Sequence, residues 1–257
     1  MSSVSAVSRG RAPRPLTLVT ATATVALSVA LSGCVSTEQK AAWVHVEDAR
    51  IIASQGPVVV WHAGREARVT RVALLRTRGR VAIVVQLHNA TSHALSDLPI
   101  SVGLRRPGGA RVFLNRVAGL AYFRTHVALI PAGSSVTWVF TALARRHATG
   151  PPFAVVGSEA SPPITSAHTI PQVAAVLASA TRAQDGLVLR IPVSNRSSIP
   201  QTGLQVYATA SSASRYAAAG SATIPNLGTG DSTTTSIRLV GRASRAQIRL
   251  EALPTMF

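Results

Sequence analysis

The chain has 257 residues, with 26 lysines and arginines against nine aspartates and glutamates, a formal charge of +17, 47% hydrophobic and 4% aromatic content. A single cysteine excludes any disulfide within the chain. The basic residues are scattered (Arg76, Arg78, Arg80; Arg105, Arg106; Arg145, Arg146; Arg242, Arg245) without a helical basic stripe or an aromatic RNA-binding strand, which excludes nucleic acid as the partner.

The first residues carry Arg9, Arg11 and Arg14 and no acid, and Leu16 to Leu31 then runs without a charge. This is the order of an export signal. At about 1.5 Å per residue the uncharged run makes roughly 24 Å of helix, short of the ~30 Å hydrocarbon core, so a cleaved leader fits better than a permanent span.

The run closes on Leu31, Ser32, Gly33 and Cys34. Small residues at Ser32 and Gly33 let the backbone enter a peptidase cleft in extended form. These four residues resemble the lipobox of bacterial lipoproteins. The resemblance implies a signal peptide over 1–33, cleavage before Cys34, and a diacylglycerol or fatty acyl lipid on the Cys34 thiol as the only non-protein group. It places the mature chain on the extracytoplasmic face of the cell membrane. Losing the three leader arginines leaves 23 basic residues against nine acidic ones, +14, and of these only Lys40 is lysine. A field of this sign attracts anionic headgroups or acidic wall polymers in a salt-dependent way.

Residues 34–42 form a tether whose eight residues after Cys34 reach at most roughly 29 Å, so the first folded domain is expected to sit close to the bilayer. The remaining ~215 residues suit two domains. Strands are expected at Val44–Ile52, Val58–Trp61, Val69–Leu75, Val81–Leu87, Ile100–Leu104, Val112–Leu114, Val136–Leu143 and Phe153–Val156, with turns at Pro107-Gly108-Gly109 and Pro131-Ala132-Gly133.

The second half repeats the first. Val81, Ile83, Val85, Leu87 and Asn89 align with Leu187, Leu189, Ile191, Val193 and Asn195, and Leu98 and Ile100 with Leu204 and Val206, at an offset of 106. Gly133 to Thr137 aligns with Gly230 to Thr234 at 97, which places a longer connection in the first copy around Asn115 to His126. Strands of the second copy are expected at Val173–Ala180, Leu187–Val193, Leu204–Thr209, Ala217–Ile224, Thr234–Leu239 and Ile248–Ala252. VAAVLASAT at 173–181 has helical propensity, but its counterpart at 68–75 is β-branched and favours a strand.

Short strands at regular spacing without an amphipathic helix predict an all-β chain of two tandem antiparallel β-sandwiches. The segments VAIVVQLHNAT and LVLRIPVSNRS, each alternating into Asn-x-Ser/Thr, resemble the immunoglobulin-like domains of bacterial extracytoplasmic proteins, without their Cys-Trp-Cys signature. The resulting division is immunoglobulin-like domain 1 over 43–157, a proline-rich linker over 158–171, and immunoglobulin-like domain 2 over 172–257. The stiff linker is expected to hold the second domain outward as a spacer. Asn89 and Asn195 are formally glycan acceptors, but asparagine at a strand end serves better as a turn former.

For chemistry, the seven histidines form no His-Glu-x-x-His, and neither a Gly-x-Ser-x-Gly elbow nor a Walker loop is present. Neither a catalytic residue nor a metal ligand is predicted. The remaining candidates for a binding surface are Trp43, Trp61, Arg105 and Arg106; the two tryptophans serve core packing or interfacial seating of the first domain, or else form an aromatic shelf for a sugar or lipid headgroup. The expected function is a non-catalytic interaction or scaffolding module for an envelope protein. A basic module for acidic wall polymers or lipid headgroups is the alternative, and a hydrolase without a recognisable motif comes third.

Overall fold

The computed structural model describes residues 59–117, 119–144, 150–159, 170–184, 186–243 and 246–256. The leader with Leu31, Ser32, Gly33 and Cys34, Trp43, the strand expected at 44–52 and most of the linker lie outside the described residues.

The described residues are all-β apart from one 3₁₀ turn and build two antiparallel sandwiches. In the first, β1 (Ala67–Thr77), β2 (Arg80–Asn89) and β6 (Ser135–Leu143) form one sheet. The facing sheet holds β3 (Leu95–Arg105), flanked on one side by β4 (Arg111–Phe113) and β5 (His126–Ile130) and on the other by β7 (Pro152–Val156). In the second, β10 (Gly186–Asn195) pairs with β13 (Ser232–Arg238) and with both β8 (Val173–Ala175) and β9 (Ser179–Ala183). The facing sheet has the order β14 (Val240–Gly241), β12 (Arg215–Leu227), β11 (Gln201–Ser212), β15 (Gln247–Leu253). The second strand pairs with the sixth and the third with the seventh in copy 1, and their equivalents do so in copy 2. This is the B–E and C–F pairing of an immunoglobulin-like sandwich.

The repeat holds to single residues. Asn89 and Asn195 end β2 and β10, are almost fully buried, and make the same network. The Asn89 amide donates to the carbonyls of His93 (2.8 Å), Ile130 and Pro131, while its Oδ1 accepts from the Thr91 N–H and hydroxyl at 2.9 and 2.7 Å. Asn195 does this with Ile199 (2.8 Å), Leu227 and Gly228, and with Ser197 at 3.1 and 2.7 Å. Each Asn-x-Ser/Thr is a buried plug that closes one end of a sandwich by satisfying carbonyls left over at a strand turn.

The change of offset has a definite place. β12 runs unbroken along β11, whereas its counterpart in copy 1 is split into β4 and β5. Phe113 sits opposite Gly103 as Ala219 sits opposite Thr209, and Val127 opposite Leu98 as Ile224 opposite Leu204. The extra residues therefore lie between Phe113 and His126. Asn115 bridges the break: its side chain accepts from the Val102 N–H at 3.0 Å and donates to the Ile100 carbonyl at 2.7 Å, standing in for the missing strand.

β5 escaped the sequence reading, and the strand expected at Val58–Trp61 is not one over its described residues 59–61. The strand expected at Val173–Ala180 breaks into β8 and β9 around Val176 to Ala178. The expectation of an outward-held second domain is also corrected: the described residues form one compact unit. Sheet β1-β2-β6 packs broadside on sheet β14-β12-β11-β15, and Tyr207, Ala219, Val240 and Leu253 join the apolar cluster that contains Ala82 and Val84. The reason is written into β2. Its outer face carries Ala82 and Val84, both fully buried, where β10 carries Val188 and the exposed Arg190. Four sheet layers result.

The insertion locks this seam. Tyr122 to Arg124 form a single 3₁₀ turn. The Phe123 ring lies against Gly203 of β11, and Arg124 packs over Phe140 (5.0 Å), donates to the Thr141 carbonyl and faces the fully buried Tyr207. At the open edge of β6, the Thr137 N–H donates to the Glu251 carboxylate at 3.0 Å, which covers an edge otherwise free to pair with another strand.

Candidate functional site

The outer face of β3, β4 and β7 carries an arginine–aromatic platform. Gly103 faces Phe113 on one side and Phe153 on the other. Its missing side chain lets the two rings meet above it, centroids 5.4 Å apart and nearly perpendicular. Trp61 adds a third ring edge-on to Phe113 at 5.1 Å and is 56% exposed. The Pro107-Gly108-Gly109 turn, with both glycines at φ 87, sets Arg105 directly opposite Arg111. Both guanidiniums lie over the Phe153 ring, at 5.7 and 5.5 Å, and Arg111 also donates to the Trp61 carbonyl at 3.4 Å.

Like charges opposed across a strand pair repel. Here the faces of Phe153 and the surrounding water compensate, and among the described residues neither arginine has a carboxylate partner. The platform thus presents apolar ring edges and two forked donors on a rigid sheet.

Of the predicted surface residues, Trp61 and Arg105 meet in this platform. Arg106 stands beside it in the turn, exposed, with its backbone N–H bonded to the Ala110 carbonyl at 2.8 Å. Trp43 lies outside the described residues. The sequence reading missed Phe113, Phe153 and Arg111. Closing the hairpin on its Pro-Gly-Gly turn would have found two of them, since that register pairs Arg105 with Arg111 and Gly103 with Phe113. Trp138 is a core residue, fully buried, with its indole N–H on the His126 carbonyl at 3.2 Å. His88 and His93 go to different partners, the Ser135 hydroxyl and the Glu159 carboxylate.

A second polar group is buried beneath the insertion of the first copy. Asp97 is buried at φ 54, accepts from the Tyr122 hydroxyl at 2.8 Å through Oδ2, and leaves Oδ1 without a partner. Tyr122 stacks flat on His126, centroids 3.8 Å apart. Burial and the Asp97 carboxylate push the Tyr122 hydroxyl above its ordinary value, and burial pulls His126 below its own against the opposing field of Asp97. His126 is only 4% exposed, so the group is a structural buttress under the insertion.

The position of the platform within the repeat gives it meaning. Gly103 and Phe113 correspond to Thr209 and Ala219, and Ala219 belongs to the face with which copy 2 docks on copy 1. The platform is therefore the first sandwich's version of a face that already binds a β-sheet within this molecule, left open to solvent around Trp61.

No protein-family model and no curated protein matches the chain. Among solved structures it is similar to red sea bream transglutaminase, at 10% identity and a TM-score of 0.21, over 72% of this chain and 29% of that one.

Proposed function

We propose that this protein is a lipid-anchored extracytoplasmic lipoprotein that acts without catalysis, holding another envelope protein at the outer face of the cell membrane. The anchor rests on Leu31-Ser32-Gly33-Cys34 behind a basic and then apolar leader, with the diacylglycerol on Cys34 as the attachment. The protein partner rests on one observation: the exposed Trp61 platform is the repeat equivalent of the face that copy 2 buries against copy 1. Such a partner would lay an apolar sheet face or edge on Trp61 and Phe113 and offer carboxylates or carbonyls to Arg105 and Arg111.

The test is site-specific photocrosslinking in cells from position 61, with position 190 on the far sheet as the control. A single adduct from position 61, identified by mass spectrometry and reproduced by a crosslinker on the partner, supports the reading; equal adducts from both positions, or none from 61, defeat it. For the anchor, Cys34→Ala abolishes incorporation of a clickable fatty acid and leaves unprocessed precursor.

A second reading follows from Arg105 and Arg111, opposed without a carboxylate between them: capture of acidic wall polymer or lipid headgroups. Polymer capture weakens steeply from low to high ionic strength, whereas a packed protein interface largely survives.

A further inference from the structure

The seam between the sandwiches is apolar at its centre and open along one side. There β1, β2 and β6 of the first copy face β11, β12 and β15 of the second across a cleft of about 490 Å³, within the range of ligand pockets. Arg71, Arg249 and Tyr216 supply charge and an aromatic ring. The Arg71 guanidinium rests on the Tyr216 ring at 4.8 Å, which fixes the cation against the wall. Gln86 and Gln247 contribute amides, and Thr209, Ser211 and Ser214 hydroxyls, and among the described residues none of these five side chains has an intramolecular hydrogen bond.

The cleft continues as a groove. Gln86, Thr137 and Arg249 are shared with an adjoining hollow of about 380 Å³, which in turn shares Ser135 and Glu251 with a third of about 510 Å³ that adds Arg196. Glu251, the carboxylate of this groove, is already bonded to the Thr137 N–H.

The turn at its rim is built at a cost. Ser212 and Arg215 pair across a two-residue hairpin whose central residues, Ala213 and Ser214, have φ 45 and 64. Asn-Gly is the ordinary choice there. A side-chain-bearing residue in that conformation is a strained choice, and Ser214 brings its hydroxyl to the cleft. Strain held at one place fits a site.

We infer that this groove binds an acidic oligosaccharide, a linear run of sugar units carrying carboxylates. Arg71, Arg249 and Arg196 meet the negative groups, while the free amides and hydroxyls meet sugar hydroxyls. A simple inorganic anion would engage the guanidiniums and leave the five neutral polar side chains idle. A neutral glycan would leave the arginines unmatched. The groove lies on the opposite sheet of the first sandwich from the Trp61 platform, so the inference stands independently of the protein-partner reading.

Trigalacturonate is titrated into the full-length chain in detergent micelles by calorimetry, with maltotriose and inorganic phosphate as comparison probes. Saturable binding of trigalacturonate is expected, at least about tenfold tighter than either comparison. Arg71→Gln and Ser214→Ala should each weaken it, the former about tenfold, while Arg190→Gln, exposed on β10 and outside both the groove and the platform, leaves it unchanged. No binding of trigalacturonate, equal binding of phosphate or maltotriose, or an affinity indifferent to Arg71→Gln overturns the inference. Thermal melts of each variant establish that it is folded before its affinity is read.

Discussion

Asp97 and Gly203 are the same residue of two successive copies, both left-handed at φ 54 and 66, and consecutive residues of the insertion rest on them. The Tyr122 hydroxyl donates to Asp97 at 2.8 Å, and the Phe123 ring lies where a Cβ on Gly203 would stand 3.0 Å away. One short 3₁₀ turn thus touches both halves of the duplication at equivalent points. The copy that carries the insertion holds a carboxylate there, and the copy that receives the ring holds a glycine.

Gly203→Ala is therefore expected to destabilise the seam, because the new methyl adds a left-handed cost of about 1–2 kcal/mol and must displace Phe123. Phe123→Ala should cost about 3 kcal/mol or more. Both variants should turn a single chemical-denaturation transition into two, and a single unshifted transition would show that the insertion does not couple the sandwiches.

Asn89→Ala and Asn195→Ala should each lower stability by about 2–3 kcal/mol, since in each copy two carbonyls and a backbone N–H lose their side-chain partner in a buried place, while the Thr91 and Ser197 hydroxyls keep the His93 and Ile199 carbonyls. The two losses should be similar and nearly additive, as the plugs share no partners. Expressed in a glycosylating host, the folded protein should carry no sugar on either asparagine, read by intact mass; an added glycan mass on native protein would contradict the burial.

Glu251 and His126 act on stability with opposite signs in pH. Burial raises the Glu251 carboxyl against the pull of Thr137 and Arg249, so its contribution is present below the ordinary carboxylate value and lost as pH rises through the raised one. Burial lowers His126, so its contribution is present above about pH 6.5 and lost as pH falls through the lowered value. Glu251→Gln keeps an acceptor for the Thr137 N–H and should be neutral to about 1 kcal/mol more stable at neutral pH. Melts between about pH 5 and 8 should show this variant losing stability on acidification more steeply than the parent.

On the platform, Trp61→Ala and Arg111→Ala should leave the unfolding free energy within about 0.5 kcal/mol of the parent, because both residues are exposed, yet abolish the crosslink from a neighbouring position such as Arg106. Retained crosslinking would move the partner elsewhere.

Much of the fold was legible because duplication lets one copy annotate the other. The alternation into Asn89 and Asn195 located β2 and β10, and the switch from offset 106 to 97 located the insertion. The same logic could have revealed β5: the strand expected at Ala217–Ile224, carried back across the switch, splits onto β4 and β5. The docking of the copies was harder to see, since a strand buried on both faces differs from a half-buried one only at the alternate positions. Val84 against Arg190 was that signal. The platform stayed partly hidden because Phe153 joins it through the pairing of β7 with β3, which no spacing along the chain reports.

The contrast between Val84 and Arg190 also sets how many sandwiches can stack. Copies that dock back to front would, if alike, present a fresh acceptor face at every step and polymerise without end. In copy 2 that acceptor face displays Arg190, Pro192 and a row of serines and threonines, and burying an unpaired guanidinium there would cost several kcal/mol. The array terminates on that side after two members. Among the described residues the Trp61 face is the docking-type face left exposed, so the stack has a polarity: one blunt polar end, and one end that keeps apolar rings at the surface.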